Sequence, residues 1–279
     1  MNQKIVMKNL SRSAVLVLAT CFICNISFAQ SYSTSFTSGE GFSDGSLSGN
    51  ANWSEYGAGD SLFTVQDATG EGNVQVGSGF AGVANSSTVY DWTVTTGKFT
   101  QSTEFQFTDI AGSVSATTLY RQYFSKDSDG TGAEDRTYLE IRKNGTTFQL
   151  AAFGTSVYSF SESDLGLSGS DPDSDVIRIT SQFEAGATSS DWIGTYTIYN
   201  VTTDATLVSD SITLSSLGFT LIGDSSVHGA MNVDNETGAV SSLEVLSFST
   251  SYVIPEPSAF AMLTGVFALA CVAVRRRRG

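Results

Sequence analysis

At 279 residues, with 28 acidic side chains against 14 basic ones and a net charge of −14, the chain is long enough for one large domain or two small ones. Half of the basic residues sit at the two ends, so Gln30 to Val253 holds seven Lys and Arg against 27 Asp and Glu, a charge of about −20 that repels nucleic acid and anionic lipid. No nucleic-acid partner is expected. Cys21, Cys24 and Cys271 all lie in apolar terminal segments, which excludes a disulfide framework, a thiolate metal site and a cysteine nucleophile from the stretch between them.

The first element in chain order is a secretory signal. Lys4, Lys8 and Arg12 form a basic start, and Ala14 to Ile26 is apolar apart from Thr20 and Asn25. Ser27-Phe28-Ala29 then puts small residues at −3 and −1. Passage through the Sec translocon and cleavage by signal peptidase between Ala29 and Gln30 are expected. Leu18-Ala19-Thr20-Cys21 is similar to a lipobox, but Thr20 suits the position before the cysteine poorly and the apolar run continues through Phe22 and Ile23.

From Gln30 onward helical periodicity gives way to short runs of Val, Ile, Thr, Tyr and Phe separated by Gly, Ser, Asn and Asp, the pattern of strands and turns. Strands are expected at 61–66, 73–76, 98–108, 115–124, 176–183, 194–200, 206–213 and 241–251. In "RTYLEIRKNGTTFQLAAFG" (Arg136 to Gly154), Asn144-Gly145 predicts a type I′ turn joining 138–143 to 146–153 as a hairpin. Leu139 and Ile141 would face a core, with Tyr138, Glu140 and Arg142 on a wet face. No repeat of fixed period argues for a propeller or solenoid, so an all-β antiparallel sandwich is expected over 30–253. "SFTSGEGFSDGSLSGNANW" (Ser35 to Trp53) and the closing "VSSLEVLSFST" (Val240 to Thr250) resemble the concanavalin-A-like, laminin-G-like jelly roll. That resemblance implies a last strand lying beside the first.

Within this body two loops carry hard oxygen ligands at alternate positions, as Ca²⁺ needs. They are Asp127 and Asp129 in "KDSDGTGAED", and Asp171, Asp173 and Asp175 in "SDPDSD". Neither loop has an EF-hand's glycine and distal glutamate, and a body this acidic puts such loops on its surface for hydration alone. Calcium is the one cofactor the sequence leaves open. For catalysis the signals are poor. His228 is the only histidine and no serine sits in a G-x-S-x-G elbow, so His228 is expected in a turn or in the core. A glycosidase would need two carboxylates facing one cleft. Glu104 and Glu140 fall on expected strands, yet each reads equally as an ordinary outward-facing residue. Trp53, Trp92 and Trp192, with the tyrosines, are either stacking platforms for sugars or core filling, and core filling is the default for at least two tryptophans.

The chain closes on "YVIPEPSAFAMLTGVFALACVAVRRRRG". Ala259 to Val274 is uncharged and as a helix would span about 24 Å, close to the ~30 Å hydrocarbon core once Val253 and Ile254 are added. Arg275, Arg276, Arg277 and Arg278 place its far end in the cytoplasm and the body outside. Pro255-Glu256-Pro257, one hydrophobic segment and a terminal arginine cluster, in that order, resemble the PEP-CTERM sorting signal of Gram-negative bacteria. The resemblance implies recognition by an exosortase-type processing enzyme and cleavage near Pro255-Glu256-Pro257. It further implies transfer from the inner membrane to the cell surface or an exopolysaccharide matrix. The proline pair blocks helix continuation, which keeps that stretch extended outside the bilayer.

These readings converge on an exported, membrane-sorted envelope or matrix protein. Its body is a non-enzymatic β-sandwich of structural or glycan-binding role, with extracellular polysaccharide as partner. The alternative is a secreted polysaccharide-active enzyme on the same fold.

Overall fold

Lys98–Thr108 alternates Phe99, Gln101, Thr103, Phe105 and Phe107 with polar residues. In the computed structural model those five are buried and the residues between them are half-buried. A period of two is what a strand with one covered face requires, and the same logic builds most of the body. The structure describes residues 29–57, 62–77, 79–108, 114–128, 138–145, 147–153, 156–167, 173–214, 221–234 and 242–254. The expected signal segment before Ala29, Pro255-Glu256-Pro257, the C-terminal apolar run and Arg275 to Arg278 lie outside them, as do Asp129 and Asp171. Gln30–Tyr252 forms one compact unit.

Two antiparallel sheets make up this unit. The first runs β14 (Ala205–Thr213), β13 (Ile193–Asn200), β12 (Ile177–Glu184), β7 (Lys98–Thr108), β16 (Ser242–Val253), β5 (Asn73–Val76), β4 (Phe63–Gln66), β2 (Gly45–Ser46), with β1 (Ala29–Thr34) also pairing with β16. The second runs β11 (Ser156–Phe160), β10 (Thr147–Ala152), β9 (Leu139–Gly145), β8 (Val114–Ser125), β15 (His228–Asp234), β6 (Phe80–Asn85), β3 (Trp53–Gly57). The last strand thus lies beside the first, although that first strand, Ala29–Thr34, precedes the glycine-rich stretch from Ser35.

The core is aromatic and lies between the sheets. Trp92 packs against Phe99, Phe124, Phe183 and Trp192 at ring-centroid distances of 5.2, 5.2, 5.3 and 5.3 Å. It is held there by its neighbours' backbone, since Trp92 N–H donates to the Asp224 carbonyl (2.8 Å) and Tyr90 N–H to that of Val227 (2.8 Å). Burial of each such ring contributes roughly 1.5–3 kcal/mol. All three tryptophans are buried in this core, so none serves as a sugar platform.

The hairpin β9–β10 differs from expectation by one residue. Asn144 pairs with Thr147 and Lys143 with Phe148, so the two-residue loop starts at Gly145 rather than Asn144. Gly145 has φ +64°, while Asn144 is not in the left-handed region. A glycine takes this left-handed conformation without strain, as the first loop position of a primed hairpin turn requires.

Candidate functional site

The register of the seven-stranded sheet sets out its outer face. Leu139 and Ile141 point into the core as expected, and Glu140 and Arg142 point away from it. The face they share is not a wet one. Glu140 is wholly buried, and so are Tyr123, Ala230, Asn232 and Ala84 from the neighbouring strands. A small apolar cluster of Ala84, Tyr123 and Ala230, with Tyr138 against it, forms a second core on this side. Tyrosines and small residues alternating with polar ones carry no sequence signal that separates such a face from a solvated one.

At its centre is a charge cluster. Glu140 accepts hydrogen bonds from Arg142 Nη2 (2.7 Å) and the Thr118 hydroxyl, and Arg121 Nη2 lies 3.4 Å from the same carboxylate. Burial opposes ionisation of Glu140, but the Arg142 hydrogen bond, the Arg121 charge and the Thr118 hydroxyl outweigh it and hold its pKa below the ordinary value. The Arg121 guanidinium also lies over the Tyr138 ring at 4.7 Å, a cation–π contact. On the far side of Arg121, Asn232 Nδ2 donates to the Tyr56 hydroxyl at 3.1 Å. Tyr56 in turn packs edge-on against Phe80 at 5.9 Å. The ends of this arrangement are open: Phe80 is 38% exposed and the Arg142 side chain 37%.

Glu104, the other carboxylate on a central strand, sits on the outer face of the other sheet. It accepts from Arg178 Nε at 2.8 Å. The whole sandwich separates it from Glu140, and the two do not share a cleft. His228 opens β15, buried, beside Ser125 in the register, with no hydrogen-bond partner for Nδ1. Burial pushes its pKa down, against smaller opposing effects of an Asn85 backbone hydrogen bond and the Asp127 charge.

The expected calcium ligands are placed apart. Asp127 follows β8, where its backbone N–H and carbonyl both engage the Ser125 hydroxyl at 3.1 Å. Asp175 is committed elsewhere: its carboxylate accepts from Asn200 Nδ2 at 2.7 Å and lies against Gly166. Asp173 is exposed. Among the described residues no group of three or more His, Cys, Asp or Glu is poised for a metal. Ala29 and Gln30 are exposed at the start of β1.

No family model matches the chain, and no curated protein does. Solved structures do. The chain is similar to the winged bean acidic lectin complexed with methyl-α-D-galactose, at 8% identity and TM-score 0.53, over 82% of this chain and 100% of that one. Arcelin-5, a lectin-like defence protein from Phaseolus vulgaris, matches at 11% identity and TM-score 0.52, over 81% of this chain and 99% of that. Lectin II from Ulex europaeus matches at 9% identity and TM-score 0.50, over 80% and 98%. The architecture is therefore that of a lectin-like jelly roll. Identities this low carry the fold and not the ligand.

Proposed function

We propose that this chain is an exported surface or matrix protein whose β-sandwich binds glycan or gives structural support. The outer face of the seven-stranded sheet is its binding surface. One observation carries the reading: Tyr138 and Tyr56 flank a polar centre made of Arg121 and Asn232 on that face. Aromatic rings beside fixed hydrogen-bonding groups are what a sugar ring, apolar on its faces and polar at its edge, requires. The likeness to lectins supports the choice of fold for such a role.

A binding module is favoured over a polysaccharide-cleaving enzyme. Glu140 is held ionised by two arginines and a threonine, and Glu104 lies on the opposite side of the sandwich, so this pair cannot serve as general acid and nucleophile. A glycan array combined with a reducing-end release assay on residues 30–253 tests the choice. Retention without product is expected; product release would overturn it.

Export and sorting belong to the same proposal. The N-terminal segment directs secretion, with cleavage between Ala29 and Gln30. The C-terminal segment holds the body outside the inner membrane until an exosortase-type enzyme acts near Pro255-Glu256-Pro257. Support comes from the order of motif, apolar run and arginine cluster. Mass spectrometry of the mature protein should find Gln30 first and an end near Pro257; an intact tail to Gly279 would leave a plain membrane anchor. Calcium at the loops of Asp127 and Asp173 is proposed on the spacing of hard ligands alone, and EDTA should then lower the melting temperature of the body. An unchanged melting temperature would remove the metal.

A further inference from the structure

We infer that Gln30 is a modification site: as the first residue of the exported body, it closes on its own α-nitrogen to form a neutral five-membered lactam. The inference rests on the export reading above, in which cleavage falls between Ala29 and Gln30. A glutamine side chain holds its carbonyl carbon where the α-nitrogen of the same residue can attack it, a proximity no external amine matches. The α-nitrogen lone pair adds to Cδ, the N–Cδ bond forms and the Cδ–Nε2 bond breaks. Ammonia leaves with the proton that the α-nitrogen gives up. No oxidant, reductant or second substrate enters. An α-amine titrates near neutral pH, so part of it is present as the unprotonated nucleophile.

The fold decides whether this terminus is open to that chemistry. β1 is pinned from Tyr32 onward. The Tyr32 hydroxyl accepts from Trp53 Nε1 at 3.2 Å, and its ring lies 6.4 Å from those of Trp53 and Phe248. Thr34 is buried; its Oγ1 donates to Glu40 Oε2 at 3.0 Å and accepts from Phe36 N–H at 2.9 Å. Ser35 N–H donates to the same carboxylate oxygen at 2.9 Å. Ahead of this clamp, Ala29, Gln30 and Ser31 are all exposed. The Gln30 side chain therefore has room to turn back on its own nitrogen while β1 stays paired with β16. Cyclisation needs no unfolding.

The product has a consequence for the exported body. Aminopeptidases recognise a chain by its α-ammonium, and the lactam removes that group. Trimming an open terminus by two residues would expose Tyr32 to the next cut, although its ring packs against the buried Trp53 and Phe248. A closed, neutral end protects the strand that pairs with the last one.

Full-length protein, expressed in a Gram-negative host and purified in detergent, tests the assignment. Reductive dimethylation of the intact protein marks free α-amines before digestion, so ring closure during work-up is not counted. Cleavage after Glu40 then releases residues 30–40 for mass spectrometry. Wild type held at neutral pH should give a peptide that progressively loses one NH₃ and escapes the label. Gln30→Ser should stay fully labelled over the same period. An added aminopeptidase should shorten folded Gln30→Ser and leave aged wild type intact. A peptide that begins at Gln30 and stays fully labelled after ageing, or aged wild type trimmed like the variant, would overturn the inference while leaving export unchanged. A peptide that begins at any other residue would remove the Ala29–Gln30 cleavage reading, and this modification with it.

Discussion

Gln101 and Gln122 hydrogen-bond across the interior of the sandwich. Gln122 Nε2, from the seven-stranded sheet, donates to the Gln101 carbonyl (3.3 Å) and the Ser181 hydroxyl (3.1 Å) of the other sheet. Gln101 Nε2 returns the link by donating to the Ala230 carbonyl at 2.8 Å. Both glutamines are 0% exposed, and each leaves its Oε1 unpaired. Gln122→Ala, which opens a cavity and breaks two bonds, should cost about 2–4 kcal/mol. Gln122→Leu keeps the volume and removes the orphan carbonyl, so it should cost less than about 1.5 kcal/mol. Urea denaturation midpoints of the two variants check the order; equal losses would show that the lost hydrogen bonds, and not the cavity, set the cost.

Removing the carboxylate at the centre of the outer face strands two guanidinium groups. Glu140→Ala should destabilise by about 3 kcal/mol, the lower part of the range for breaking a buried ion pair, because Arg142 keeps partial contact with water. Glu140→Gln retains volume and one acceptor for Thr118 and should lose less. Chemical denaturation measures both, and a neutral Glu140→Ala would mean the cluster adds no stability.

Acid should act on the fold through two groups. His228 has a folded pKa below its ordinary 6.5, so between those values the unfolded chain binds a proton that the folded chain does not. Stability from this group is therefore full above about 6.5 and falls with pH until the lower folded value is reached. The Glu140 carboxyl, also depressed, contributes above its ordinary 4.5 and loses that contribution as pH drops through its folded value. Melting temperature against pH should show both slopes. His228→Gln, which keeps a donor at the Nε2 position, should flatten only the upper one.

The aromatic core makes Trp92 the most costly single truncation named here. Trp92→Ala should lose about 4 kcal/mol. Its indole N–H has no partner among the described residues, so Trp92→Phe should cost only lost volume and stay well below that figure. Calorimetric unfolding of both variants separates packing from hydrogen bonding.

Amphipathic strands were legible where one face met the core and the other met water. The expected 73–76 and 98–108 coincide with β5 and β7, and β12, β13, β14 and β16 fall within two residues of expectation at each end. β6 and β15 were not legible. "FAGVAN" and "HGAMNVD" are buried throughout or nearly so, rich in Gly and Ala, and show no alternation because both of their faces are covered. For the same reason Glu140 read as a solvated residue. A charged residue opposite two core-facing ones predicts a wet face only when nothing lies over it.

The sequence by itself determined the all-β class, the lack of cysteine in the body and the strand alternation that builds the core, because each depends on residues close together along the chain. Only the tertiary structure decided that Glu140, Arg121, Asn232, Gly82 and Tyr56 stand in one row, that Glu104 faces the other way, and that all three tryptophans are spent on the interior. Those facts depend on strand order and register across more than a hundred residues, which hydrogen bonding between sheet neighbours sets and local composition does not encode.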